Sequence, residues 1–147
     1  VYSDRPTLKC YMADTGLLVT HAFSDRRSME NELYKAILLD GIGINEGMLM
    51  ENVVAQTLVS IDDRLFFYSR GREDPDGQME IDFLIRRNGR ICPIEVKSSK
   101  RSRDHKSLDR FRERFGKRLG QSYVIHSKDL SVENGIVYLP VYMTMFL

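Results

Sequence analysis

Cysteine and histidine are scarce in this chain. Its 147 residues hold only Cys10 and Cys92, and the three histidines, His21, His105 and His126, stand far apart. Two thiols make no disulfide framework, and without a Cys/His cluster or a His-x-x-x-His pair no zinc site is indicated, so a reducing cytoplasm is the expected setting. No apolar run approaches the roughly 20 residues that cross a bilayer, and no membrane is expected among the partners. A signal peptide is not visible. No glycine-rich phosphate loop is present either, so ATP binding through a P-loop is not expected. The chain opens on Val1 rather than Met, and either an excised part of a longer polypeptide or a processed chain is expected.

What is there suffices for one well-filled core, with 42% hydrophobic residues. Residues 8–13 read as a short strand ended by the turn residues Asp14, Thr15 and Gly16. A helix is predicted over Glu30–Leu39. A second follows the Gly41–Gly43 break over Glu46–Ser60, with Asn45 available as its cap. Met50, Val53, Val54, Thr57, Leu58 and Ile61 form its apolar stripe. Arg64–Ser69 reads as a strand, and Gly71–Gln78 as a turn-rich loop in which Glu73, Asp74 and Asp76 do not have calcium-loop spacing. A helix over Asp104–Phe115 buries Leu108, Phe111 and Phe115, and Gly116 or Gly120 ends it. Tyr123–His126 and Ile136–Leu139 read as short strands, followed by Val141–Phe146. The order implies an α/β sandwich around a mixed sheet.

The densest information lies between Glu80 and Lys97. Asn88-Gly89 stands at the centre, flanked by β-prone residues, and both residues tolerate the positive φ of a type I′ turn. A two-residue loop puts Arg87 opposite Arg90, then Asp82 opposite Glu95 and Glu80 opposite Lys97. Strict alternation places Ile81, Phe83, Ile85, Cys92, Ile94 and Val96 on one apolar face. The charged residues then share the other face. Opposed Cβ atoms lie about 4.5–5.5 Å apart, so two carboxylates there repel unless a cation intervenes.

That pattern predicts a metal site. Mg²⁺ (or Mn²⁺) takes hard oxygen ligands, often one or two carboxylates completed by substrate phosphate. Asp82 and Glu95 are the candidate carboxylates, and the Val96 carbonyl is a further candidate ligand. Lys97 shares the Glu95 face and would orient a nucleophile or neutralise charge developing on phosphorus; a salt bridge to Glu80 is its simpler role. Glu51 stands beside the stripe of its helix, where an exposed helical glutamate is the plain reading and a second metal or water contact the alternative.

The net charge of +1 conceals an uneven distribution. From Lys97 to Arg118 ten Lys/Arg face three acids, giving +7, and the other twelve cations and eighteen acids leave −6. Lys100, Arg101, Arg103, Lys106 and Arg110 are the candidate phosphate-backbone contacts, without sequence readout. A solvated helix face is the alternative.

Four motifs carry a resemblance: Asp14-Thr15-Gly16-Leu17; Gly47 with Glu51-Asn52; Glu80-Ile81-Asp82-Phe83; and Pro93-Ile94-Glu95-Val96-Lys97-Ser98-Ser99. From about Lys9 to Tyr142 the chain resembles the uncharacterised C-terminal domain of many bacterial and archaeal AAA+-type ATPases, and through it the PD-(D/E)XK nuclease superfamily. The resemblance implies a restriction-endonuclease-like mixed sheet flanked by helices over residues 41–147. It also implies a lead-in over residues 1–40, joined to an ATPase region. It gives Asp82 and Glu95 metal roles, Lys97 the catalytic lysine role and Glu51 an accessory acidic role. Ile81 stands where the superfamily name has proline. The expected function is thus Mg²⁺-dependent DNA phosphodiester cleavage. A non-catalytic module that binds nucleic acid or regulates the ATPase is the alternative, and a purely structural docking domain the third reading.

Overall fold

Asn88 and Gly89 adopt φ of 51° and 77°, and the hairpin they close organises the sheet. The computed structural model describes residues 8–23, 46–71, 78–98 and 104–147. The helix expected over Glu30–Leu39, the Gly41–Gly43 break, the Asn45 cap, the acids at 73, 74 and 76, and Lys100, Arg101 and Arg103 lie outside the described residues. The hairpin strands are β2 (Met79–Arg87) and β3 (Arg90–Val96), paired from Arg87↔Arg90 to Phe83↔Ile94 in the register expected of a two-residue loop.

Around them stand β1 (Phe66–Arg70), β4 (Ser122–His126), β5 (Ser131–Glu133) and β6 (Ile136–Pro140), in the order β1-β2-β3-β4-β6-β5. β1, β2 and β3 run antiparallel to their neighbours, β3, β4 and β6 run parallel, and β5 folds back antiparallel on β6. A parallel step needs a crossover, which α3 (Lys106–Phe115) supplies between β3 and β4. The mixed α/β sheet flanked by helices is as expected. β5 was not expected, although Asn134-Gly135, at φ 50° and 73°, repeats the turn signal.

Helices pack on both faces. α2 (Glu46–Ser60) lays Val54, Ala55 and Leu58 on Phe83, Ile85, Cys92, Ile94, Ile125 and Leu139. On the opposite face α3 sets Leu108 and Phe111 against Met79, Ile81, Val124, Ile136 and Tyr138. Leu108 is fully buried, and burial of such a side chain stabilises by about 1.5–3 kcal/mol. The buried row of α2 is rotated from the expected stripe, for Val53 is exposed and Ala55 buried. Glu51, a turn before Val54 and Ala55, therefore lies in line with the buried row rather than beside it.

Residues 8–13 form no strand. Their main chain is bonded instead by α2 side chains: Met12 N–H donates to Asn52 Oδ1 at 2.8 Å, Asn52 Nδ2 to the Met12 carbonyl at 3.1 Å, and Gln56 Nε2 to the Ala13 carbonyl at 2.5 Å. Asp14 does not simply close a turn. It caps a helix that the sequence pattern does not announce, α1 (Thr15–Phe23), by accepting the Leu17 N–H at 3.1 Å. Val141–Phe146 is a 3₁₀ segment. Among the described residues no helix is long and apolar enough to cross a membrane.

Candidate functional site

The hairpin ladder stops at Phe83↔Ile94. Beyond that rung β3 pairs with β4, through Glu95↔Val124 and Val96↔Ile125, and the Lys97 N–H donates to the Ile125 carbonyl at 2.8 Å. Val96 N–H would lose its partner in β2, and the Asp82 side chain replaces it, Oδ2 accepting that N–H at 2.9 Å. Val96 thus enters the site through its N–H. The expected cross-strand pairs Asp82/Glu95 and Glu80/Lys97 do not form ladder rungs, because the two strands diverge before reaching them.

A second irregularity turns Asp82. Along β1, Phe66 faces Leu84 but Tyr68 faces Ile81, so Asp82 and Phe83 together stand opposite Phe67. This is a β-bulge, which breaks the alternation and re-aims a side chain. Met79 and Ile81 consequently pack toward α3, while Phe83 and Ile85 pack toward α2. The single apolar face expected for Ile81, Phe83 and Ile85 is thereby corrected: all three are buried, but on two faces.

Glu51, Glu80, Asp82, Glu95 and Lys97 line one open pocket of about 380 Å³, together with Gly47 and Ser107. Sequence reasoning missed the residue that ties three of these carboxylates together. Lys9 Nζ lies 3.0 Å from Glu51 Oε1, 2.8 Å from Glu80 Oε1 and 3.1 Å from Asp82 Oδ1. Tyr11 donates its hydroxyl to Glu51 Oε1 at 2.5 Å, and the Lys9 ammonium stands 5.7 Å from the Phe67 ring centroid. Glu80 therefore pairs with Lys9, and Lys97 with Glu95 Oε1 at 2.5 Å, in place of the expected Glu80–Lys97 bridge. No local pattern announces Lys9, since its partners lie 42 and 73 residues away.

The electrostatics follow from burial. Glu95 is only 6% exposed; burial lifts its carboxyl above the usual carboxylate range, against the Lys97 ammonium, which favours ionisation. Burial likewise raises Asp82, opposed by the Val96 N–H and by Lys9. For Lys9, burial works against the ammonium, but the bond to Glu80 and the charges of Asp82 and Glu51 outweigh it and raise its pKa. Glu95 Oε2 is buried without a hydrogen-bond partner among the described residues. Also among them, no group of three or more His, Cys, Asp or Glu is arranged to hold a metal ion: three of the carboxylates gather on Lys9 instead.

Of the expected phosphate contacts, Lys106 is exposed at the start of α3, next to Ser107 of the pocket, and Arg110 is exposed with Nη1 3.3 Å from the Gln78 carbonyl.

The family described as Domain of unknown function (DUF4143) matches residues 46–143, well over half of the chain. The chain belongs to this family. In this DUF4143 member the matched stretch runs from α2 into the last 3₁₀ segment and holds Glu51, Asp82, Glu95 and Lys97, whereas Lys9 and Tyr11 precede it. No curated protein and no solved structure matches the chain.

Proposed function

We propose that this DUF4143 chain is a divalent-metal-dependent phosphodiesterase module acting on nucleic acid, DNA foremost, with a restriction-endonuclease-like fold and as the C-terminal part of an AAA+-type ATPase. The observation that carries the reading is Glu95 Oε2, a buried carboxylate oxygen without a partner among the described residues, beside Asp82 and Lys97. A carboxylate rarely stays buried and half-satisfied unless something else completes it. The donors around the pocket are hard oxygens, which suit Mg²⁺ or Mn²⁺. Asp82, Glu95 and the Val96 carbonyl would hold the ion, with Glu51 as the accessory carboxylate. The cation would supply Lewis-acid polarisation of a phosphate and a more acidic bound water.

The chain's own residues do the rest. Val96 N–H fixes the rotamer of Asp82 by holding Oδ2, and leaves Oδ1 to Lys9. Lys97 bonds Glu95 and keeps an ammonium where charge would develop on phosphorus. Lys106 and Arg110 give α3 an exposed cationic edge beside the pocket for backbone phosphates, with Lys100, Arg101 and Arg103 preceding it in the chain.

A second reading, a module that binds nucleic acid or regulates its ATPase without cutting, draws on one observation: Lys9 already pairs with both Asp82 and Glu51. One experiment separates the two. Cleavage of single-stranded, duplex and branched DNA is measured with Mg²⁺ or Mn²⁺ for the wild type, Asp82→Ala and Lys97→Ala. The nuclease reading expects metal-dependent cutting that each substitution lowers by about 100-fold or more. Salt-sensitive binding without cutting, unchanged in Asp82→Ala, would establish the second reading instead.

A further inference from the structure

Lys9 belongs to none of the roles assigned so far, and it lies before the residues matched to the family. Its strap is fastened to α2 by Asn52 and Gln56 and stacks Tyr11 on Phe83, ring centroids 5.4 Å apart. Those fastenings hold Met12, Ala13 and Thr15, not the side chain of Lys9. The ammonium reaches three carboxylates from a flexible four-carbon stem, and it can leave them without moving the strap.

We propose that Lys9 is a built-in competitor for the divalent cation: its ammonium occupies Glu51 and Asp82 in the resting chain, and metal binds as that ammonium withdraws. The inference rests on the metal-dependent reading above. Two observations carry it. Asp82 Oδ2 is committed to the Val96 N–H and Oδ1 to Lys9, so a cation seeking the pocket-facing oxygen of Asp82 must take the one Lys9 holds. And Glu95, 6% exposed with Oε2 unpartnered among the described residues, lies on the same pocket and is not served by Lys9. One ammonium satisfies Glu51, Glu80 and Asp82 and leaves Glu95 wanting. A doubly charged ion and an ammonium sharing the single oxygen Asp82 Oδ1 would repel each other strongly, whereas Lys97 and the ion would take different oxygens of Glu95. Exchange rather than joint occupancy follows. The arrangement offsets part of the charge of three clustered carboxylates when metal is scarce, and it sets a threshold concentration for loading.

Manganese chloride alone is the probe. Its dissociation constant is measured by titration calorimetry for the wild type, Lys9→Met, Lys9→Arg and Asp82→Asn, with Mn²⁺-induced rises in melting temperature as a second readout. Lys9→Met is expected to bind Mn²⁺ about tenfold more tightly or better, since three carboxylates lose their internal cation. It should also melt lower than wild type without metal and gain more from it. Lys9→Arg keeps the charge and should bind like the wild type, and it serves as the folded control. If Lys9→Met binds no more tightly while Asp82→Asn loses binding, the competitor role is overturned and the metal site stands. If wild type and Lys9→Met alike fail to bind Mn²⁺, both readings fall.

Discussion

Two hairpins of one sheet turn on the same dipeptide, Asn88-Gly89 between β2 and β3 and Asn134-Gly135 between β5 and β6, with all four residues at positive φ. β5 lies at the sheet edge, three residues long, and pairs along its whole length with β6. The β2–β3 hairpin lies inside the sheet, and its ladder ends before its strands do. At that open end β3 passes to β4, β2 bulges against β1, and the unpaired main chain is taken up by a carboxylate. A turn sets register near itself; it does not carry that register to the far end. The chemistry gathers where pairing fails, because only there do side chains from both faces reach one pocket.

The largest effect should come from the last rung of the first hairpin, next to its open end. Phe83 is 1% exposed and packs beneath α2. Phe83→Ala is expected to cost about 3–5 kcal/mol by urea denaturation. Val132, on β5, is 67% exposed, and Val132→Ala should stay within about 0.5 kcal/mol. Comparable losses at the two positions would mean that the edge hairpin holds up the core as much as the inner one does.

The turns themselves offer a finer test. An L-residue at either glycine adopts positive φ, at a cost of about 1–2 kcal/mol. A Cβ at Gly89 meets nothing within 4 Å, whereas one at Gly135 lies 3.2 Å from Arg112 Nη2. That nitrogen donates to the Asn134 carbonyl at 2.7 Å, so it cannot swing aside without giving up a bond. Gly135→Ala should therefore destabilise more than Gly89→Ala. Equal losses in denaturation would show that Arg112 moves freely, and no loss at Gly89 would deny the turn its role in setting register.

Much of this architecture is legible in the chain. The Asn88-Gly89 turn, its register down to Phe83↔Ile94, α2, α3 and strands β1, β4 and β6 follow from periodicity and turn chemistry, which act over a few residues. The bulge is not legible, because Asp82-Phe83 carries no glycine or other local mark and alternation continues through it. Asp14 reads as a turn residue, although the same side-chain oxygen that favours a turn also caps a helix. β5 escapes notice despite its Asn-Gly, being too short for a period to register. Of the pocket, Asp82, Glu95 and Lys97 are recognisable in the sequence and Glu51 only through the family resemblance, and all four do meet. Lys9 is not, because an ion pair across 73 residues is a product of the fold and has no local signature.

Between the two hairpins runs β4, and its last residue supplies the smallest effect. His126 is 4% exposed, and neither ring nitrogen has a hydrogen-bond partner among the described residues. Its ring lies 5.9 Å from that of Tyr138 at 67°. Burial lowers its pKa below the ordinary value and the Lys128 charge adds to this, while the backbone of Tyr138 and Asp129 and the Asp129 carboxylate pull the other way. A histidine with a lowered pKa in the folded chain lends stability above its unfolded pKa of about 6.5, and that stability is lost as pH falls through the folded value, because the unfolded chain takes up the proton first. Wild type should thus be less stable at about pH 5.5 than at about pH 7.5. His126→Leu keeps the side chain apolar and of similar size, and it should show a smaller difference between the two conditions in urea denaturation. An undiminished difference would assign the pH dependence to groups other than His126, and not to Asp82 or Glu95, whose raised pKa values favour the fold at lower pH.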